Sequence, residues 1–150
     1  MANVRIRFSQ PDDLSKDPVL EISHEAVTTW SKDFIVWEIK STDDRVKKVK
    51  IVAEDMVIDA QNTVKAKDLF PNLTPPTEVE KEVAYVATGK HAKGYALAWG
   101  LAPVVPNQKN GRSVDKYGVY GFDGNGEKIA ERDPVIITDP PPIPGVEVPD

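Results

Sequence analysis

Apolar and polar residues alternate along Phe34-Ile35-Val36-Trp37-Glu38-Ile39, so Ile35, Trp37 and Ile39 share one face of an extended chain and Phe34, Val36 and Glu38 the other. Both faces are apolar at the start and only one at the end. The pattern predicts a central strand covered on both sides at one end and half-solvated at the other. The same period of two runs through Val4, Ile6 and Phe8, set against Arg5, Arg7 and Ser9, and through Val49, Ile51 and Ala53, set against Lys48 and Lys50. Lysine on a strand hinders edge-to-edge pairing, so Arg45, Lys47, Lys48 and Lys50 read as a solvated strand face, with an anion-binding patch as the alternative. Residues 19–22 and 26–30 are shorter extended pieces, the second rich in β-branched residues.

Further strands are expected at residues 82–88, 95–101, 116–122 and 135–137, with residues 127–130 returning from the turn Asp123-Gly124-Asn125-Gly126. In residues 95–101 the bulky Tyr95, Leu97, Trp99 and Leu101 share one face, and Ala96, Ala98 and Gly100 share the other. Small residues in a row predict the close approach of another layer on that side. Residues 59–70 form the one plausible helix, or else a loop that inserts Leu69 and Phe70 into the core. Prolines 71, 75 and 76 rule out regular structure in the connection that follows. Many short strands with almost no helical periodicity predict an all-β fold, an antiparallel β-sandwich of seven to nine strands with at most one short helix. Residues 1–138 read as one domain. Residues 139–150, with five of the chain's thirteen prolines, read as a polyproline-like tail.

A chain of 150 residues can bury a self-sufficient core. The absence of cysteine excludes disulfides, thiolate metal sites and cysteine nucleophiles. A formal charge of −5, with both signs mixed in both halves, gives no footprint for nucleic acid or anionic lipid. No apolar run approaches the roughly 20 residues of a membrane-spanning helix, and the expected location is the cytoplasm.

Candidate chemistry fails on spacing. A phosphate loop ending at Gly89-Lys90 would need glycine at Ala84 and a hydroxyl at His91. The Gly124-x-Gly126 start of a dinucleotide fingerprint meets Ile129 where the third glycine belongs. Asp123, Asn125 and Glu127 match the first ligands of a calcium loop, but Lys128 and Pro134 occupy its glycine and final carboxylate positions. His24 and His91 lack a third ligand, and no serine lies in a G-x-S-x-G elbow. No cofactor is expected. Carboxylates such as Asp43, Asp44, Glu78, Glu80 and Glu82 read as solvation, although a hydrolase pair need not be close along the chain.

Trp37 and Trp99 are expected to fill the core, which leaves Trp30, at a turn, as the tryptophan open to contact. The polar loop of residues 103–115 adds Asn107, Asn110 and Arg112 as possible contacts. Pro141 and Pro144 frame a P-x-x-P pattern that aromatic grooves bind; with no arginine or lysine flanking it, a plain extension is the competing reading.

The run Ala26-Val27-Thr28-Thr29 followed by Asp33-x-Ile35-Val36-Trp37, and the closing pair of residues 117–122 and 133–137, resemble cupredoxin-like and immunoglobulin-like bacterial sandwiches. The resemblance covers about a third of the chain. It implies architecture without copper, since neither His24, His91 nor Met56 stands in a Cys-x-His-x-Met array. The functional expectation is a non-catalytic domain acting through protein contacts, as a homo-oligomer or an accessory subunit. The alternatives are a sugar or small-ligand module using Trp30 and the 103–115 loop, and a hydrolase with carboxylates from separate loops.

Overall fold

The computed structural model describes residues 1–59, 62–104 and 112–140, the side chains of 56–59 and 62–64 excepted. The chain is all-β. In order it forms β1 (Ala2–Ser9), β2 (Val19–Ile22), β3 (Ala26–Trp30), β4 (Phe34–Ser41), β5 (Lys48–Ala53), β6 (Met56–Asp59), β7 (Asn62–Val64), β8 (Glu78–Glu82), β9 (Ala84–Ala87), β10 (Lys93–Leu101), β11 (Ser113–Phe122), β12 (Lys128–Arg132) and β13 (Val135–Asp139). One sheet has the order β2-β1-β4-β10-β9. The other runs β3-β13-β11-β5-β8, with β12 also on β11, and β6 and β7 form a separate hairpin.

Both main sheets are mixed, where an antiparallel arrangement is the sequence expectation. β1 pairs parallel to β4, and β3 pairs parallel to β13. A parallel pair needs a crossover, and the chain supplies one by running through β3 in the opposite sheet before returning as β4. The strand count also exceeds the expected seven to nine, since the main sheets have five and six strands. One source of the excess is residues 82–88, read as a single strand. The structure breaks them at Val83, which is buried and donates its N–H to the Lys47 carbonyl (2.9 Å). The preceding residues join β5 in one sheet, and the following residues join β10 in the other.

β4 lies in the middle of its sheet with Ile35, Trp37 and Ile39 buried on one face, as the alternation predicts, but the cover expected on both sides at its start is not there, since Phe34 is 51% exposed on the outer face. The two sheets meet through these inner faces. The Trp37 ring lies 5.7 Å from Tyr117 of β11, its Nε1–H donates to the Tyr117 hydroxyl (3.3 Å), and Phe70 covers it at 5.7 Å. Burial pushes the Tyr117 hydroxyl up to about 12, with the bond from Trp37 acting in the opposite direction.

No helix forms among the described residues of 59–70. The segment starts in the β6–β7 hairpin, and Leu69 and Phe70 insert into the core. That insertion explains the small face of β10: a Cβ on Gly100 would lie 2.6 Å from the Leu69 carbonyl oxygen and 3.2 Å from the Phe70 ring. Lys48 and Lys50 do not mark an edge. β8 covers β5 and places Glu82 opposite Lys48 and Glu80 opposite Lys50, opposite charges in favourable cross-strand pairs.

Candidate interaction surface

The inner face of β10 is filled by small residues, so its bulky residues must point outward. Tyr95, Leu97 and Trp99 are exposed, Trp99 by 44%. This corrects the expectation that Trp99 fills the core beside Trp37: the cross-strand partner of Trp37 is Ala98, and that of Trp99 is Val36. Phe34, at the start of β4, is 51% exposed and lies opposite Leu101, with its ring 5.8 Å from Trp99 at 59°. Phe34, Val36, Leu97, Trp99 and Leu101 thus form an apolar patch on the outer face of the five-stranded sheet. Exposed contiguous apolar surface of this kind marks binding faces. It continues past Trp99 into a groove of about 90 Å³ walled by Phe70, Pro71, Leu73 and Val79, with Lys81 at its rim.

The other end of the same face is charged. Arg5 and Arg7 of β1 lie opposite Glu38 and Lys40 of β4, and Glu21 of β2 lies opposite Arg7. These side chains line a depression of about 430 Å³ on the sheet surface. It includes two carboxylates, Glu21 and Glu38, placed on strands with that of β1 between them. The face is open to solvent, with no wall to exclude water.

Trp30 and Arg112 are brought together, at the opposite sheet. Trp30 ends the edge strand β3, is 42% exposed, and lies in register with Asp139 of β13. The Asp139 carboxylate accepts from Arg112 Nε (2.7 Å), and its carbonyl accepts from the Ser31 N–H (2.8 Å). Here Arg112 holds the end of β13 in place. The strand takes in Asp139, a residue read as the start of the tail. Asn107, Asn110, Pro141 and Pro144 lie outside the described residues.

A second polar cluster closes the β4–β5 turn. Buried Asp43 accepts from the Arg45 guanidinium (2.7 Å to Nη2), and the Tyr85 hydroxyl reaches the carbonyls of Asp43 and Val46. Burial raises the Tyr85 hydroxyl above its ordinary value. These groups satisfy one another and the backbone, which is a structural task. Among the described residues no three His, Cys, Asp or Glu side chains gather to hold a metal ion. No helix among the described residues is long and apolar enough to cross a membrane.

No protein-family model matches the chain, and no curated protein does.

The outer-face patch escapes the sequence because Trp99 reads as a core residue on its apolar strand face, a reading at odds with the close approach that the row of small residues opposite it predicts. The small-face prediction is the one that holds: Gly100 and Ala98 pack closely, which turns the large residues of β10 out.

Proposed function

We propose that this chain is a non-catalytic β-sandwich, immunoglobulin-like or cupredoxin-like in architecture, that acts by docking a partner protein on the outer face of its five-stranded sheet. The observation that carries the reading is the exposed cluster of Phe34, Val36, Leu97 and Trp99 on a regular sheet. Such a rigid platform needs no ordering before it binds, which keeps the entropic cost of association low.

Charge selects the occupant. The platform is apolar at one end and mainly cationic at the other, with Arg7 and Lys40 about four residues, or ~13 Å, along the strands from Val36 and Trp99 and about two residues, or ~7 Å, from Leu97. A second copy fits this face poorly. A face-to-face two-fold axis along the strands sets cations against cations, and one across the strands buries them against Phe34 and Trp99. The favoured occupant is therefore a different protein, with apolar side chains that meet Trp99 and an acidic group that meets Arg7 and Lys40.

The test compares wild type with Leu97→Asp in affinity capture, followed by reconstitution with the purified partner. Leu97 is exposed, so the variant is expected to fold, with a small loss of stability from the new carboxylate opposite Glu38, and to weaken binding by at least about tenfold, as loss of a central apolar contact does. A reconstituted complex that binds both proteins equally, or no saturable partner at all, overturns the proposal.

A further inference from the structure

Across β5 and β8 this chain sets lysine against glutamate: Lys48 opposite Glu82 and Lys50 opposite Glu80. Across β1 and β4 the arrangement differs, because Arg7 lies directly opposite Lys40. Like charges opposed on neighbouring strands destabilise a sheet. A third cation, Lys93 at the start of β10, joins Arg7 and Lys40 around an open depression of about 280 Å³. None of the three forms an ion pair among the described residues. Glu21, opposite Arg7, and Glu38, two residues before Lys40, are the carboxylates closest in register, yet neither lines this depression. Its remaining rim carries hydroxyls, from Ser9, Thr42 and Tyr95; that of Thr42 already donates to the Phe8 carbonyl (3.4 Å).

We propose that Arg7, Lys40 and Lys93, with the hydroxyls of Ser9 and Tyr95, form a binding site for a tetrahedral oxyanion, a phosphate group or its sulfate analogue. Arginine supplies a planar fork of donors, and each lysine supplies a compact charge on a flexible stem. The neutral hydroxyls donate to the oxygens the cations leave free. A bound dianion also offsets the repulsion between Arg7 and Lys40, so binding is expected to stabilise the fold. The site lies apart from the apolar patch but shares Arg7 and Lys40 with the cationic end of the docking face; a small ion can occupy it whether or not a protein docks, so the two readings can fail separately.

The test is an amide chemical-shift titration of the full chain with inorganic phosphate, at constant ionic strength with chloride as the balancing ion. The expected result is a saturable shift confined to the neighbourhood of residues 7–9, 40–42 and 93–95, shared by sulfate and absent with chloride. In Lys40→Gln/Lys93→Gln the affinity should fall by about tenfold or more, since each charged hydrogen bond contributes that much, while Trp99→Ala, four residues along β10 from Tyr95, should bind phosphate like wild type. A parallel arm with O-phosphoserine separates the two carriers: binding equal to that of phosphate marks a phosphomonoester site, and binding of phosphate alone marks a free-ion site. Shifts that fail to saturate, that chloride reproduces, or that persist undiminished in the double variant overturn the proposal. Because the wild-type titration alone can fail, the result does not depend on the variant folding.

Discussion

Trp37 and Trp99 belong to neighbouring strands and sit one residue apart in the β4–β10 register, yet one is fully buried and the other is 44% exposed. The same side chain thus serves two ends. On the inner face Trp37 is enclosed by Phe70 and Tyr117, and its indole N–H is satisfied by the Tyr117 hydroxyl. On the outer face Trp99 has Phe34 and Val36 beside it and solvent above. What decides between them is the neighbour across the strand. Ala98 leaves room for Trp37, and the close approach of Leu69 and Phe70 to Gly100 leaves none for Trp99.

The largest expected effect comes from truncating each in turn. Trp37→Ala should cost about 3–5 kcal/mol, the range for emptying a large aromatic site in a core, and it also strands the Tyr117 hydroxyl. Trp99→Ala should cost no more than about 1 kcal/mol, as an exposed site does. Urea denaturation of both variants measures the contrast. Similar losses would mean that the outer patch is part of the core and not a platform.

A second measurement sharpens the inner half of the comparison through pH. Tyr117 titrates at about 12 in the folded chain, pushed up first by burial. An unfolded tyrosine titrates near 10. The folded chain therefore holds a proton that the unfolded chain releases. The contribution is complete below pH 10 and is lost as the pH rises from 10 through 12, at a cost of up to about 3 kcal/mol. Tyr85 and Tyr120 are also raised, chiefly by burial, so the informative quantity is the difference from Tyr117→Phe. Urea midpoints at pH 8 and pH 11.5 should converge in that variant relative to wild type. An unchanged pH dependence would remove Tyr117 as the source.

How far these two faces were legible in the sequence follows from what alternation encodes. It assigns residues to faces, so the interior position of Ile35, Trp37 and Ile39 and the half-buried pattern of β1 were readable. It does not say which face is inner when both are apolar, and in β10 bulk pointed the wrong way. Partners are a second blind spot. Nothing local in residues 2–9 or 34–41 reveals that they pair in parallel, because that depends on the chain passing through β3. Nor does Val83 announce that the strand there changes sheets. The candidate contacts fared by the same rule: Trp30 at a turn was correctly read as exposed, whereas the outer patch is assembled from two strands whose register only the fold supplies.

The smallest effect tests whether the Trp30 end competes with the outer face as a contact surface. Arg112 is half exposed, and its ion pair with Asp139 lies at the rim of the sheet. Solvent screens such a pair, so Arg112→Gln should lower stability by no more than about 1 kcal/mol. Its effect should be local, because the lost bond ties Arg112 to the last residue of β13, beside Trp30. Faster amide exchange at Ser31, whose N–H is held by the Asp139 carbonyl, would show that loosening directly. If the partner binds through Phe34, Leu97 and Trp99, retention by Arg112→Gln should match wild type while Leu97→Asp loses it. The reverse order would move the interaction surface to the β3 edge, with Arg112 and Trp30 as its contacts.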